Sequence, residues 1–549
     1  MVLPPGLKTA KEVRFYYEQI VYPPLISSGN YRPFVYPWAI AGFLVVLAYL
    51  LVDHRKSPTL QSLRFPLFGL LCAFSAWCVI NNRGRSSAAA YGVGLLSGWG
   101  TLFTASIMFF NDCQTDFKRI ERADAAALAK LNATRHKSIS VNGSLSNGTI
   151  ATAVSGPTQH DLDDADQLAT QYASHRRGPL FWQSYPVQSF SERLDWMLDC
   201  FSNFRGVGWN FQTYGVPSPP LWVEAELRNT ASKKETIART STMTVSKTGI
   251  RRYTDRNALL KDVLIRLALG FFALDLVKTL MHHDAYFWGY MDAAPPTWLP
   301  AYVQSSYILV KSYRLLLSLA GIWVALLEIF RLGPLFFCGI LGPKVLGIRG
   351  EPWMSPMDFY GNFNAVLDNG IAGWWGTWWH QIFRFGFEAP TTSLLKLLGV
   401  DKKSQAGKLM SMFTAFVLSG GLHACGSHTQ LGDTRPFLGP FRFFLLQPFG
   451  ILAQTATSGL LKKAGIADKV PKSLRRLGNF LAVFAWMYFT APLLVDDFAK
   501  GGVWLFEPLA ISPLRVLGYG AKDDNGWDLW YGLVFWRKGK HWWDTGLAF

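Results

Sequence analysis

The amino-acid sequence predicts an all-α polytopic membrane protein with about eight to ten transmembrane helices. Three observations predict it. Half of the 549 residues are hydrophobic and only 17% are charged, against roughly 25% charge in soluble domains. The 22 tryptophans and 40 phenylalanines suit a chain with two water interfaces, because amphipathic rings settle at headgroup level. Several uncharged stretches approach or exceed the roughly 20 residues that a helix needs to cross the hydrocarbon core.

Taken in order, residues 1–31 carry Lys8, Lys11, Arg14 and two glutamates and lack the apolar core and cleavage site of a signal peptide. Insertion is therefore expected to rely on the first internal span. Spans at 33–52, 65–80 and 88–110 make an N-terminal transmembrane region, 1–110. Residues 111–257 form a polar insertion, of which 124–177 has too few large apolar side chains to build a core and is expected to be mobile. The part from 181 to 222 holds Trp182, Trp196, Trp209 and Trp222 and is expected to pack on the membrane surface. Asn132, Asn142 and Asn147 each begin an Asn-x-Ser/Thr triplet, which matters only on a lumenal face.

The remainder, 258–549, is the expected catalytic core, with spans at 263–281, 315–348, 409–431, 443–461 and 477–495. Two of these carry charges. A conduction path is one reading; local neutralisation is the preferred one, pairing Asp262 with Arg266, Asp275 with Lys278 and Glu328 with Arg331 at i, i+4 or i, i+3 spacing.

The net charge of +17 suits anionic headgroups or a phosphorylated co-substrate rather than nucleic acid in a membrane chain. The six cysteines lie far apart, mostly inside apolar runs, and imply no disulfide framework. No Walker A loop, Gly-x-Ser-x-Gly elbow or His-Glu-x-x-His occurs. His423, Cys425 and His428 fit no common zinc spacing, so no metal is expected.

Histidine is the common side chain whose ordinary pKa lies near neutrality, so it can take a proton from a hydroxyl and return it. His423 follows an uncharged run in the local sequence Ser419-Gly420-Gly421-Leu422-His423-Ala424-Cys425-Gly426. Small neighbours let another helix or a ligand approach the backbone closely. A second segment, 374–384, gathers four tryptophans, His380 and Arg384. If helical, it places His380 and Arg384 on one face at i, i+4. The planar fork of Arg384 suits a phosphate.

These two segments resemble the paired signatures of the membrane-bound O-acyltransferase superfamily, specifically its wax synthase-like branch, which includes fungal acetyltransferases of secondary metabolism. Trp374, Trp375, Gly376, Trp379 and His380 match the first signature; Ser419, Gly420 and His423 match the second. Trp374 stands where the family usually has Phe or Tyr, and Trp378 where it often has arginine. The resemblance implies a helical bundle around a central chamber in a multi-pass protein of the endoplasmic reticulum. It makes His423 the catalytic base and His380 the second polar residue of the site. Arg384, Trp375 and Trp379 are the expected donor-binding residues. It further implies acyl-CoA, with acetyl-CoA preferred, as co-substrate, no permanently bound cofactor, and a lipophilic alcohol such as a terpenoid as acceptor. A long-chain wax-ester synthase is the alternative within the class, and a transporter the alternative outside it. The oligomeric state is left open.

Overall fold

The computed structural model describes residues 3–123, 180–187, 189–228, 243–524, 526–527 and 534–549. The stretch expected to be mobile and its three Asn-x-Ser/Thr triplets lie outside the described residues. The described chain is mainly helical. Its principal helices are α1 (Ala41–Leu50), α2 (Arg64–Asn81), α3 (Ser87–Thr104), α4 (Phe190–Ser202), α5 (Arg256–His282) and α6 (Tyr307–Pro334). They continue with α7 (Asn364–Gly373), α8 (Arg384–Leu397), α9 (Gln405–His428), α10 (Arg442–Lys463), α11 (Lys472–Thr490) and α12 (Pro492–Gly501).

Among the described residues four stretches are long and apolar enough to cross a membrane: Pro58–Asn81, Ser87–Phe109, Tyr307–Gly350 and Gln405–His428. A fifth is reached if α11 and α12, bent by 47° to each other, form one span. This is fewer than the eight to ten expected, for identifiable reasons. Helix α1 has only 10 residues, α5 carries Lys261, Asp262, Arg266, Asp275 and Lys278, and α10 interrupts its apolar run with Gln447 and Gln454. On the four long stretches Leu70, Leu96, Ile308, Ile340 and Val417 are exposed, as contact with lipid tails requires.

The local neutralisation expected from charge spacing holds at two of three places. Arg266 pairs with Asp262 at 2.9 Å and Arg331 with Glu328 at 2.8 Å. Asp275 and Lys278 instead turn to the C-terminal segment. Asp275 accepts from the Ser512 hydroxyl and the Leu514 amide, and Lys278 donates to the Trp504 carbonyl. Both side chains are buried, so each needed a partner, and the partners came from more than 200 residues away in sequence.

The aromatic part of the insertion is also placed differently from its expectation. Trp196 and Trp209 are buried and share one core with Trp99 and Phe103 of α3, Phe385 of α8 and Leu422 of α9. A strand at Arg119–Arg122 pairs antiparallel with Leu180–Gln183. Arg119 then binds Asp195 and Asp199 of α4, while Arg349 reaches the same Asp195 at 2.7 Å. The segment is built into the body of the protein because Trp196 and Trp209 find a packed apolar core there, while Trp182 stays exposed. Helix α9 is the common wall: Phe416 belongs to the larger core and Leu422 to this one.

Candidate active site

His423 lies on α9, whose start is capped by Ser404 accepting from the Gly407 amide at 3.0 Å. Helix α9 is held against α3 by small residues. A Cβ added at Gly94 would come within 1.9 Å of the Cys425 carbonyl oxygen, and one at Gly98 within 3.2 Å of Leu422. Such spacing of glycines by four lets two helix backbones touch. Thr429 fastens the contact by donating to the Ala90 carbonyl (2.7 Å) and accepting from the Gly94 amide (3.2 Å). The resulting register puts Tyr91 over α9, with its ring against Gly426. The Tyr91 hydroxyl lies 2.6 Å from His423 Nδ1. On its other side the imidazole stacks on Phe444 of α10, centroids 4.5 Å apart and planes 14° from parallel. Nε2 carries no hydrogen bond among the described residues, and the ring is half-buried rather than sealed.

The tryptophan segment is built on broken backbone. Helix α7 bends at Gly370, where φ is +59°, a conformation that side-chain-bearing residues rarely adopt. The break frees backbone groups, and polar side chains from two other helices take them up. Gln454 of α10 accepts from the Ile371 amide at 2.7 Å, and Asn479 of α11 donates to the Leu367 carbonyl at 2.9 Å. The two side chains bind each other at 3.2 Å. Irregular backbone at membrane depth survives only with such satisfaction.

A wide helical turn, Trp374–Trp378, follows, and Trp379 is extended. Gln447, fully buried on α10, accepts from the indole N–H of Trp375 (3.1 Å) and of Trp486 (3.0 Å). Trp375 thereby packs on Phe416 and Phe444. Trp379 follows at 5.9 Å from Trp375, and His380 at 5.4 Å from Trp379. His380 also meets Tyr360 and Phe383, and its Nδ1 is buried without a hydrogen-bond partner.

The structure thus connects four of the five expected site residues through one aromatic array. It runs from His423 through Phe444, Trp375 and Trp379 to His380. Arg384 departs from the helical spacing expected of it. The helix does not run through 374–384, because the turn ends at Trp379 and α8 starts afresh at Arg384. His380 and Arg384 therefore share no helical face. Arg384 is engaged by Glu388 (2.8 Å) and Gln381 (3.1 Å), with Tyr214 under its guanidinium. Among the described residues no group of three or more His, Cys, Asp or Glu is arranged to hold a metal ion.

Tyr91, Phe444, Gln447, Gln454 and Asn479 were not singled out by sequence reasoning. Gln447 and Gln454 had a usable signal, since polar residues inside an apolar helix mark sites or helix contacts. Tyr91 had none beyond its glycine-rich surroundings.

A sequence model of the membrane bound O-acyl transferase family matches residues 356–446. The O-mevalon transferase macI of Penicillium terrestre is 24% identical over 311 residues, covering 54% of this chain and 61% of that protein. The acetyltransferase eriL of Hericium erinaceus is 30% identical over 26% of this chain and 36% of its own length. The acetyltransferase pyr8 of Aspergillus fumigatus is 23% identical over 64% of this chain and 75% of its own. No solved structure matches the chain. The matched segment contains the tryptophan turn, His380 and His423, so residues 356–446 of this chain are similar to the membrane bound O-acyl transferase family.

Proposed function

We propose that this protein is a membrane O-acyltransferase that moves an acyl group, acetyl by preference, from acyl-CoA to the hydroxyl of a lipophilic alcohol such as a terpenoid. The observation that carries this reading is the pairing of His423 Nδ1 with Tyr91 at 2.6 Å, with Nε2 left free of hydrogen bonds among the described residues. A neutral imidazole holds one proton. With that proton on Nδ1 and given to the Tyr91 oxygen, Nε2 carries the lone pair and is the base.

The step then balances. Nε2 takes the proton of the alcohol O–H, and the oxygen attacks the thioester carbonyl in a chamber shared with His380. The carbon–sulfur bond breaks, and the departing thiolate takes the proton back from the imidazolium. His380 orients the acceptor or donates to the developing oxyanion, an interaction worth about 3 kcal/mol where it has been removed elsewhere. Trp375 and Trp379 wall the space between the two imidazoles. The names of the relatives, acetyltransferases and O-mevalon transferases, support a short acyl group. The compartment is the endoplasmic reticulum, to be checked by fractionation.

Membranes bearing the protein, given labelled acetyl-CoA or palmitoyl-CoA and a panel of terpenoid and fatty alcohols, test the reading. It expects a labelled ester from acetyl-CoA. Movement of an alcohol across the bilayer with no covalent product would replace the enzyme by a transporter.

A further inference from the structure

We propose that Arg252, with Arg205 beside it, binds one phosphate group of a phosphorylated ligand, and that this ligand is the thioester donor. Arg252 lies on the strand Arg251–Tyr253, paired antiparallel with Met243–Val245. Its strand neighbours use the other face: Arg251 binds Asp358 and Asp262, and Tyr253 binds Asp262. Arg252 is completely buried, yet among the described residues Nε and Nη1 have no acceptor, and the Nη2 contact to Gln212 is long at 3.4 Å.

Arg205, also buried, stacks on Phe359 at 3.8 Å and among the described residues donates only to the neutral carbonyls of Pro356 and Asp358. The nearby carboxylates are committed elsewhere, Asp358 to Arg251 at 2.7 Å and Glu224 to Arg228 at 3.0 Å. Burial, reinforced by Arg205, brings the Arg252 guanidinium down to about 9, and burial alone lowers Arg205 to about 10. Two enclosed cations with no anion between them among the described residues are an unbalanced arrangement, and a phosphate supplies both the charge and the acceptors that Arg252 lacks there.

The location suits a donor. The stretch that accepts from Arg205 continues into Tyr360, which meets His380, and the Gly361 amide donates to the Trp378 carbonyl at 2.9 Å. A phosphate held there lies beside the tryptophan turn. Both arginines belong to the insertion, outside the family-matched segment. Naming the donor rests on the acyltransferase reading; the anion site does not.

The test uses the full chain in a maltoside detergent, which contains no phosphate, titrated with adenosine 3′,5′-bisphosphate, inorganic phosphate or a short-chain phosphatidic acid. The bisphosphate is expected to bind, with Arg252→Gln weakening it at least tenfold and Arg252→Lys less. Hydrogen exchange on the unaltered protein should slow at 205–216 and 248–253 when the bisphosphate is added, a readout that needs no variant to fold. Failure of every probe to bind, or protection confined elsewhere, overturns the site. Preference for inorganic phosphate or the lipid overturns the donor as the source. Intact binding in a protein that transfers no acyl group would sink the acyltransferase reading alone.

Discussion

The two histidines are held by opposite means. His423 sits on an unbroken helix, α9, pressed against α3 until the Gly94 position nearly touches the Cys425 carbonyl. His380 sits past a broken helix and an extended tryptophan, on backbone whose loose groups are taken up by Gln454 and Asn479. One side chain is positioned by close backbone contact and the other by polar side chains reaching in from α10 and α11. A proton-transfer group gains from rigidity, while a residue that lines a space for an acceptor must leave room. Both supports lie outside the family-matched segment: Tyr91, which meets His423, far before it, and Gln447, which anchors Trp375, just beyond its end.

Substitutions can break this contrast. Gly94→Val should act most strongly, because even a Cβ has no space there. Forcing the helices apart typically costs about 1–3 kcal/mol, and it carries Tyr91 away from His423. The thermal midpoint in detergent should fall, and acyl transfer should drop to background. Tyr91→Phe comes next. It removes the hydrogen bond without changing the packing, so kcat should fall roughly tenfold to a hundredfold, the equivalent of a hydrogen bond to a charged group, with KM unchanged. Equal KM and kcat effects would mean that Tyr91 serves packing only.

Gln454→Leu tests the other support. It orphans the Ile371 amide at a cost of about 1–3 kcal/mol, and it should raise KM for the alcohol more than it lowers kcat, since the tryptophan turn shifts while His423 stays. Arg384→Gln should do least. Its ion pair with Glu388 is partly exposed, a class worth about 0–1 kcal/mol, and KM for the donor should not change. A large rise there would restore Arg384 as a phosphate ligand and count against Arg252.

What was legible in the sequence follows from the range of the interactions. His423, His380 and the tryptophan cluster stood out by residue type in an apolar setting, and local charge pairs such as Glu328 with Arg331 were readable from spacing alone. Asp275 and Lys278 were misjudged because buried charges choose their partners by tertiary packing, here from residues 504–514. The helical face joining His380 to Arg384 failed because the chain unwinds at Trp379. Fewer helices pass as spans by length and composition among the described residues than the eight to ten expected, because α1 is short and α5 carries charge. Tyr91 was invisible because its partner lies 332 residues away.

The central claim is that the Nε2 of His423 removes the proton from the acceptor alcohol. Its most direct test is the rate of labelled acetyl transfer by purified His423→Gln protein of unchanged thermal midpoint. Transfer no faster than without enzyme is expected, and a rate equal to that of the unaltered protein would contradict the role of His423.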